Sequence, residues 1–159
     1  MINLQTLTIE PIMLIGIEER TKNADEINGK GKIPKLIETF YSEMLHKIPN
    51  RHDNHVLSAY TNYESDENGY YTYFIGAKVK DLNTIPEKMV GKIIPASRYV
   101  VIPSDTGKIQ DIVINKWKQI WADDALKEKR AYSTDFELYD QQCSNTESSQ
   151  VDIYIAIKD

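Results

Sequence analysis

The chain repeats one plan twice, and that repeat limits its folds more than any other feature. In the first half, Leu7, Ile9, Met13, Ile15 and Ile17 form a strand pattern bent or bulged at Pro11. Ile33, Leu36, Ile37, Phe40, Tyr41, Met44, Leu45 and Ile48 then follow the spacing of one helix face. Pro34 suits the first turn of that helix and Pro49 ends it. Two strand-like runs follow, 56–63 and 70–79, joined by a polar turn. The second half begins with a long strand over 93–102, with Pro95 near its start. A second helix carries Ile109, Ile112, Val113, Trp117, Ile120 and Trp121, with Asp105 or Thr106 available as its N-cap. Strands over 134–140 and 151–158 complete it. Equivalent elements lie roughly 75–80 residues apart.

A β-α-β-β unit puts one helix on one side of a small sheet and leaves a sheet edge open. Two such units side by side cover that edge and create a groove near a pseudo-two-fold axis, a favoured place for ligands. The fold class expected is therefore α+β: an antiparallel sheet with two helices, built from tandem duplicated β-α-β-β modules. At 159 residues, one domain spans 1–159, with modules over about 1–80 and 91–159. Thr21–Lys32 and Gln141–Gln150 read as loops.

Charge and composition narrow the function. A net charge of -5 and no Lys/Arg stripe argue against nucleic-acid and anionic-membrane binding, and mildly favour cationic ligands. No apolar run approaches the roughly 20 residues of a membrane helix, and no signal peptide is visible. With a single cysteine, Cys143, a reducing, cytoplasmic setting is expected. Cys143 lacks basic neighbours and a partner histidine, which argues against a catalytic thiolate. His46, His52 and His55 surround Pro49 without ligand spacing, so neither a metal nor any other cofactor is expected.

The 134–140 strand carries the candidate site. Alternation places Asp135, Glu137 and Tyr139 on one face, with Phe136 and Leu138 on the other. On the residues alone, an exposed strand acid is the plainer account of Glu137, because Glu is seldom buried unpaired. The tilt toward tyrosine, ten against three phenylalanines, allows another: a carboxylate facing an aromatic-lined cavity. Tyr139 shares its face. Tyr71, Tyr73 and Tyr99 are candidates from neighbouring strands, with Tyr60, Trp121 and Tyr154 weaker. For Trp117 and Trp121, burial against the sheet is the plain alternative.

In order and spacing, Tyr73-Phe74-Ile75-Gly76-Ala77-Lys78-Val79, Ile94-Pro95-Ala96-Ser97-Arg98-Tyr99, the Trp117/Trp121 helix, Asp135-Phe136-Glu137-Leu138-Tyr139-Asp140 and 151–158 resemble the GyrI-like small-molecule-binding domain. This is the effector-binding domain of AraC- and MerR-type transcription regulators, also found alone. The resemblance covers nearly the whole chain and implies the tandem, SHS2-like fold. It also implies a glutamate, here Glu137, that neutralises lipophilic cations such as dyes and drugs in an aromatic, multidrug-type pocket. Ligand-binding residues would then be Glu137, Tyr139, Tyr71, Tyr73, Tyr99 and Trp121. No helix-turn-helix precedes the domain, so a stand-alone binder or sensor is expected, serving a separately encoded regulator. The resemblance carries two alternatives. One is a hydrolase of cyclopropane-bearing DNA-alkylating toxins, with Glu137 activating water and Tyr99 or Tyr139 donating a proton. The other is a module that modulates DNA gyrase.

Overall fold

The computed structural model describes residues 5–140, 145 and 147–159. Leu4, Cys143 and part of the polar loop after β7 lie outside the described residues. The strands are β1 (Gln5–Ile9), β2 (Ile12–Lys22), β3 (Arg51–Thr61), β4 (Tyr70–Val79), β5 (Val90–Ile94), β6 (Ser97–Pro103), β7 (Thr134–Tyr139) and β8 (Asp152–Ala156). The helices are α1 (Asn23–Ile27), α2 (Ile33–Thr39), α3 (Ile109–Ala122) and α4 (Asp124–Lys129). All eight strands form one antiparallel, curled sheet in the order β1-β6-β8-β7-β3-β4-β2-β5.

Two prolines explain how the halves lock together. Pro11 divides the first long strand into β1 and β2, and Pro95 divides the second into β5 and β6. Proline has no N–H to give a ladder, so the strand bends there and its two arms pair with different partners. β1 crosses to pair with β6, while β5 crosses to pair with β2. Ile12 faces Ile94 on one side of the crossing, and Ile9 faces Ser97 on the other. The segment over 93–102, expected as one strand, is thus two. A second seam joins β3 to β7, with Ser58 opposite Glu137 and Tyr60 opposite Asp135.

Alternation then assigns the faces. Tyr71, Tyr73, Ile75, Ala77 and Val79 of β4 enter a cluster with Phe40 and Ile48 beneath the first helical segment. Val100, Ile102, Ile153 and Ile155 pack with Trp117, Ile120 and Leu126 beneath α3 and α4. The opposite face buries Leu14, Leu57, Phe74, Tyr99, Phe136 and Ala156 against one another, so both faces of the sheet are covered. Tyr60 packs against both helix-side clusters and marks the line between them.

Three local expectations change. The helix over 33–48 begins as α2, widens into a π-helical turn over Phe40–Met44, and tightens into a 3-10 turn over Leu45–Lys47. A π turn inserts one residue into the winding and is frequent at functional sites. Here Phe40 is fully buried while its neighbour Tyr41 is half exposed. The presumed loop 21–32 contains the end of β2 and all of α1. Its closure rests on Glu26, whose carboxylate accepts from the Thr21 hydroxyl and from the Lys32 and Ile33 N–H groups. Gly31 leaves room for that carboxylate: a Cβ there would lie 2.1 Å from it, and the Glu26 side chain would have to shift. Finally, α3 starts at Ile109 with Lys108 in the cap position, not at Asp105 or Thr106. A two-way bridge between Gly107 and Ser149 holds the chain extended up to that point.

Candidate functional site

A cavity of about 1060 Å³ opens between the two helix-side clusters. It is large enough for a drug-sized molecule. Its floor is the β3–β4–β7 part of the sheet, through Tyr60, Tyr71, Tyr73, Glu137 and Tyr139. One wall is α1 and α2, through Ile27, Ile33 and Ile37, and the other is α3, through Val113, Trp117 and Trp121.

Glu137 lies on that floor and is 2% exposed. Its Oε2 accepts from the Tyr60 hydroxyl at 2.6 Å and from the Trp117 indole N–H at 2.6 Å. Its Oε1 accepts from the Tyr139 hydroxyl at 2.5 Å. Among the described residues, no Lys, Arg or His forms an ion pair with it. Burial lifts its carboxyl above the ordinary range, and the three donors pull against that lift without cancelling it. Burial, and then the negative charge of Glu137, hold the hydroxyls of Tyr60, Tyr73 and Tyr139 well above the usual phenol value. The phenols therefore stay neutral and serve as donors. A carboxylate without a cationic partner, in a cavity walled by rings, has the chemistry to pair with a positive charge. Direct charge pairing is joined by about 0.5–2 kcal/mol from each ring face presented to a cation.

Aromatic contacts order the walls. Tyr60 sits at their centre, with ring centroids 5.5 Å from Tyr71, 5.4 Å from Tyr73 and 5.1 Å from Trp117. Ser58 and the Tyr73 hydroxyl share a 2.6 Å hydrogen bond, and the Tyr71 hydroxyl donates to Asn23 Oδ1 at 2.9 Å.

Beyond Glu137 on the same face of β7 lies a second buried cluster. Asp135 Oδ2 accepts from Arg130 Nη2 at 2.8 Å and from the Tyr63 hydroxyl at 2.7 Å. Its Oδ1 accepts from the Ala156 N–H at 2.8 Å. The Tyr132 ring covers the Arg130 guanidinium at 4.3 Å, and the Tyr132 hydroxyl donates to Glu67. Burial raises the Tyr132 hydroxyl to about 12. Its backbone is held at φ 52, a conformation seldom adopted by residues other than glycine.

Of the expected site residues, Glu137, Tyr139, Tyr71, Tyr73 and Trp121 meet at this cavity, as do Tyr60 and Trp117. Tyr99 and Tyr154 do not. Val100 and Ile102 face α3, so alternation turns Tyr99 to the opposite side. There it is 1% exposed, its ring 5.3 Å from Phe136 and 6.2 Å from Tyr154. Burial raises its hydroxyl to about 12. A proton from Tyr99 cannot reach a molecule held over Glu137. His52 and His55 both approach Asp53, at 3.5 and 3.3 Å, and among the described residues no group of acids, Cys and His is arranged to hold a metal.

The sequence reasoning missed Tyr41, Tyr63 and Arg130, all cavity residues. Helical spacing puts Tyr41 on the apolar stripe with Phe40, but in the π turn over Phe40–Met44 only Phe40 is buried and Tyr41 lines the cavity. Arg130 follows directly on Lys127 and Lys129 at the end of α4, where a cation is ordinary and carries no signal of a cavity. The available signal was Asp135, an acid sharing a strand face with Glu137.

Comparison with known proteins covers almost all of this architecture. The model of the Cass2 family, integron-associated effector-binding protein, matches residues 7–157. YobU of Bacillus subtilis (strain 168), named as a candidate transcriptional regulator, is 34% identical over 145 residues, 90% of each chain. The crystal structure of an integron cassette protein from the mobile metagenome of Vibrio cholerae superposes with a TM-score of 0.79 at 31% identity, covering 98% of this chain and 95% of that one. The structure of SAV2435 bound to tetraphenylphosphonium has the same fold, with a TM-score of 0.77 at 19% identity over 98% and 94% of the two chains.

Proposed function

From the premise that this chain belongs to the integron-associated effector-binding protein family, we propose that its effector is a lipophilic cation held over Glu137. The family binds small-molecule effectors and is associated with transcription regulators. The finer reading rests on one observation: a buried carboxylate with three neutral donors and no cationic partner, set in a ring-walled cavity of about 1060 Å³. Such a group is under-compensated when the cavity is empty, because hydrogen bonds offset only part of the desolvation of a buried charge. A delocalised or quaternary cation completes the pair, and its weak hydration makes it the cation most easily stripped of water. The cavity is wide and mostly apolar, which suits several ligand shapes rather than one.

A ligand-sensing role connected with transcription regulation fits this reading. Ligand capture between α2 and α3 would bring the two halves of the sheet under one constraint, which is how a sensor transmits occupancy.

Trp117 and Trp121 line the cavity, so the test needs no label. Titration with tetraphenylphosphonium is expected to change tryptophan emission saturably. An unchanged spectrum across a panel of lipophilic cations would overturn the reading.

A further inference from the structure

The cavity opens to water through an apolar collar. Ile27 of α1, Tyr41 of the π-helical turn and Ile114 of α3 all line it, yet they are 62%, 49% and 37% exposed. A side chain that both lines a cavity and stands in solvent marks the opening. Packing does not account for the three. α1 buries none of its residues, the π-helical turn buries Phe40, and α3 buries Ile112, Trp117 and Ile120. Single exposed hydrophobics are ordinary, but three from separate elements around one opening form a patch of the kind that marks a binding groove.

An apolar track joins this collar to the floor. Ile109, Val113, Trp117 and Trp121 line the cavity at four-residue intervals along one side of α3, and Ile33 and Ile37 line the other wall. Glu137 lies at the buried end, 2% exposed. Of the other carboxylates in the lining, Glu67 is paired with Lys127 at 2.6 Å. Glu26 accepts from the Thr21 hydroxyl and the Lys32 and Ile33 N–H groups, and keeps contact with solvent. Lys118, exposed on α3, adds positive charge to the lining. A cation is therefore best placed over Glu137, and the opening offers apolar contact.

Resting on the cation reading above, we infer that the effector is a cationic amphiphile, with its charged head over Glu137 and a flexible hydrocarbon tail laid across Ile27, Tyr41 and Ile114. A compact cation leaves the collar in water. A tail removes its own surface and that of the collar from water together, which is the favourable exchange. Ile27 and Ile114 thereby become specificity residues, selecting cations by the length of the tail they carry.

Methyltriphenylphosphonium and hexyltriphenylphosphonium share one head and differ only in the tail. Calorimetric titration of the wild-type protein is expected to favour the hexyl compound at least about tenfold, because each fully buried methylene is worth about fourfold and the collar covers part of each. Replacing both Ile27→Ser and Ile114→Ser should cut that preference below about threefold. Both positions are exposed, so the fold tolerates the change. Ile93→Ser, at an exposed position on β5 outside the cavity, is the matched control and should keep the full preference. Equal affinities in the wild type, an undiminished preference in the double variant, or an equal loss in Ile93→Ser would overturn the inference and leave the cation reading intact. Failure of both compounds to bind would overturn the cation reading, and this one with it.

Discussion

Trp117 reaches from α3 to the sheet and donates its indole N–H to Glu137 at 2.6 Å, in a buried contact between residues 20 apart in sequence. The bond links a helix wall of the cavity to its charged floor. Any account of ligand binding therefore has to treat Glu137 as part of a structural joint as well as a receptor.

Trp117→Phe should separate those two roles. It keeps most of the apolar area and removes one hydrogen bond to a charged acceptor, worth about 1.5–3 kcal/mol. Urea unfolding of the empty protein is expected to show a loss in that range. A change below about 0.5 kcal/mol would mean that the indole contributes packing alone.

The pH dependence of the empty protein has a defined sign. Folding raises the Glu137 carboxyl above its ordinary 4.5, so between these two values the native state binds more protons than the unfolded chain. Stability should therefore fall as pH rises from the ordinary value through the raised one. Asp152, also raised by burial and by Asp140, contributes the same sign. Subtracting the profile of Glu137→Gln isolates the Glu137 part. A flat difference between about pH 4 and 8 would contradict its burial.

Cation affinity should move the opposite way. The charged carboxylate is the binding form, so affinity is expected to strengthen as pH rises through the raised pKa and then level off. Titrations with tetraphenylphosphonium across the same range check this. A pH-independent affinity would place the ligand's charge elsewhere.

Tyr99→Phe and Tyr139→Phe form an opposed pair. Tyr99 lies on the far face of the sheet, so its hydroxyl should be silent, with cation affinity within about twofold of the wild type. Tyr139 bonds Glu137 directly, and losing its hydroxyl raises the carboxyl further. The outcome expected is weaker binding at neutral pH, with partial recovery in more alkaline buffer.

Asp135→Asn should be among the most damaging single changes. It leaves Arg130 charged and buried without its partner, a type of loss worth about 3–5 kcal/mol. Adding Arg130→Met removes that stranded charge, so the double variant is expected to recover part of the stability in urea unfolding. No recovery would assign the loss to the Tyr63 and Ala156 hydrogen bonds instead.

Much of this could be read in the sequence because periodicity reports burial. The repeated plan, the β4 alternation and the helical spacing around Trp117 each sort residues by face, and the folded faces follow them. Alternation put Tyr139 on the face of Glu137, but the residues alone favoured an exposed acid there, and the pocket reading of Glu137 came from the family resemblance. The place of Tyr99 was not legible, because alternation tells which residues share a face but not which face meets the cavity; that depends on α3 packing over Val100 and Ile102. Tyr41 was hidden by the π turn, a change of winding that leaves no mark in apolar spacing. The division at Pro95 was visible as a residue and unread as a crossing. Its consequence depends on Pro11, more than eighty positions earlier.

The central claim is that the charge of Glu137 holds a cation. Calorimetry with tetraphenylphosphonium and the neutral triphenylphosphine oxide, on the wild-type protein and on Glu137→Gln, tests it most directly. The account predicts that the substitution weakens the cation at least about tenfold and the neutral compound less than about threefold. Equal loss for both, or none for the cation, would contradict it.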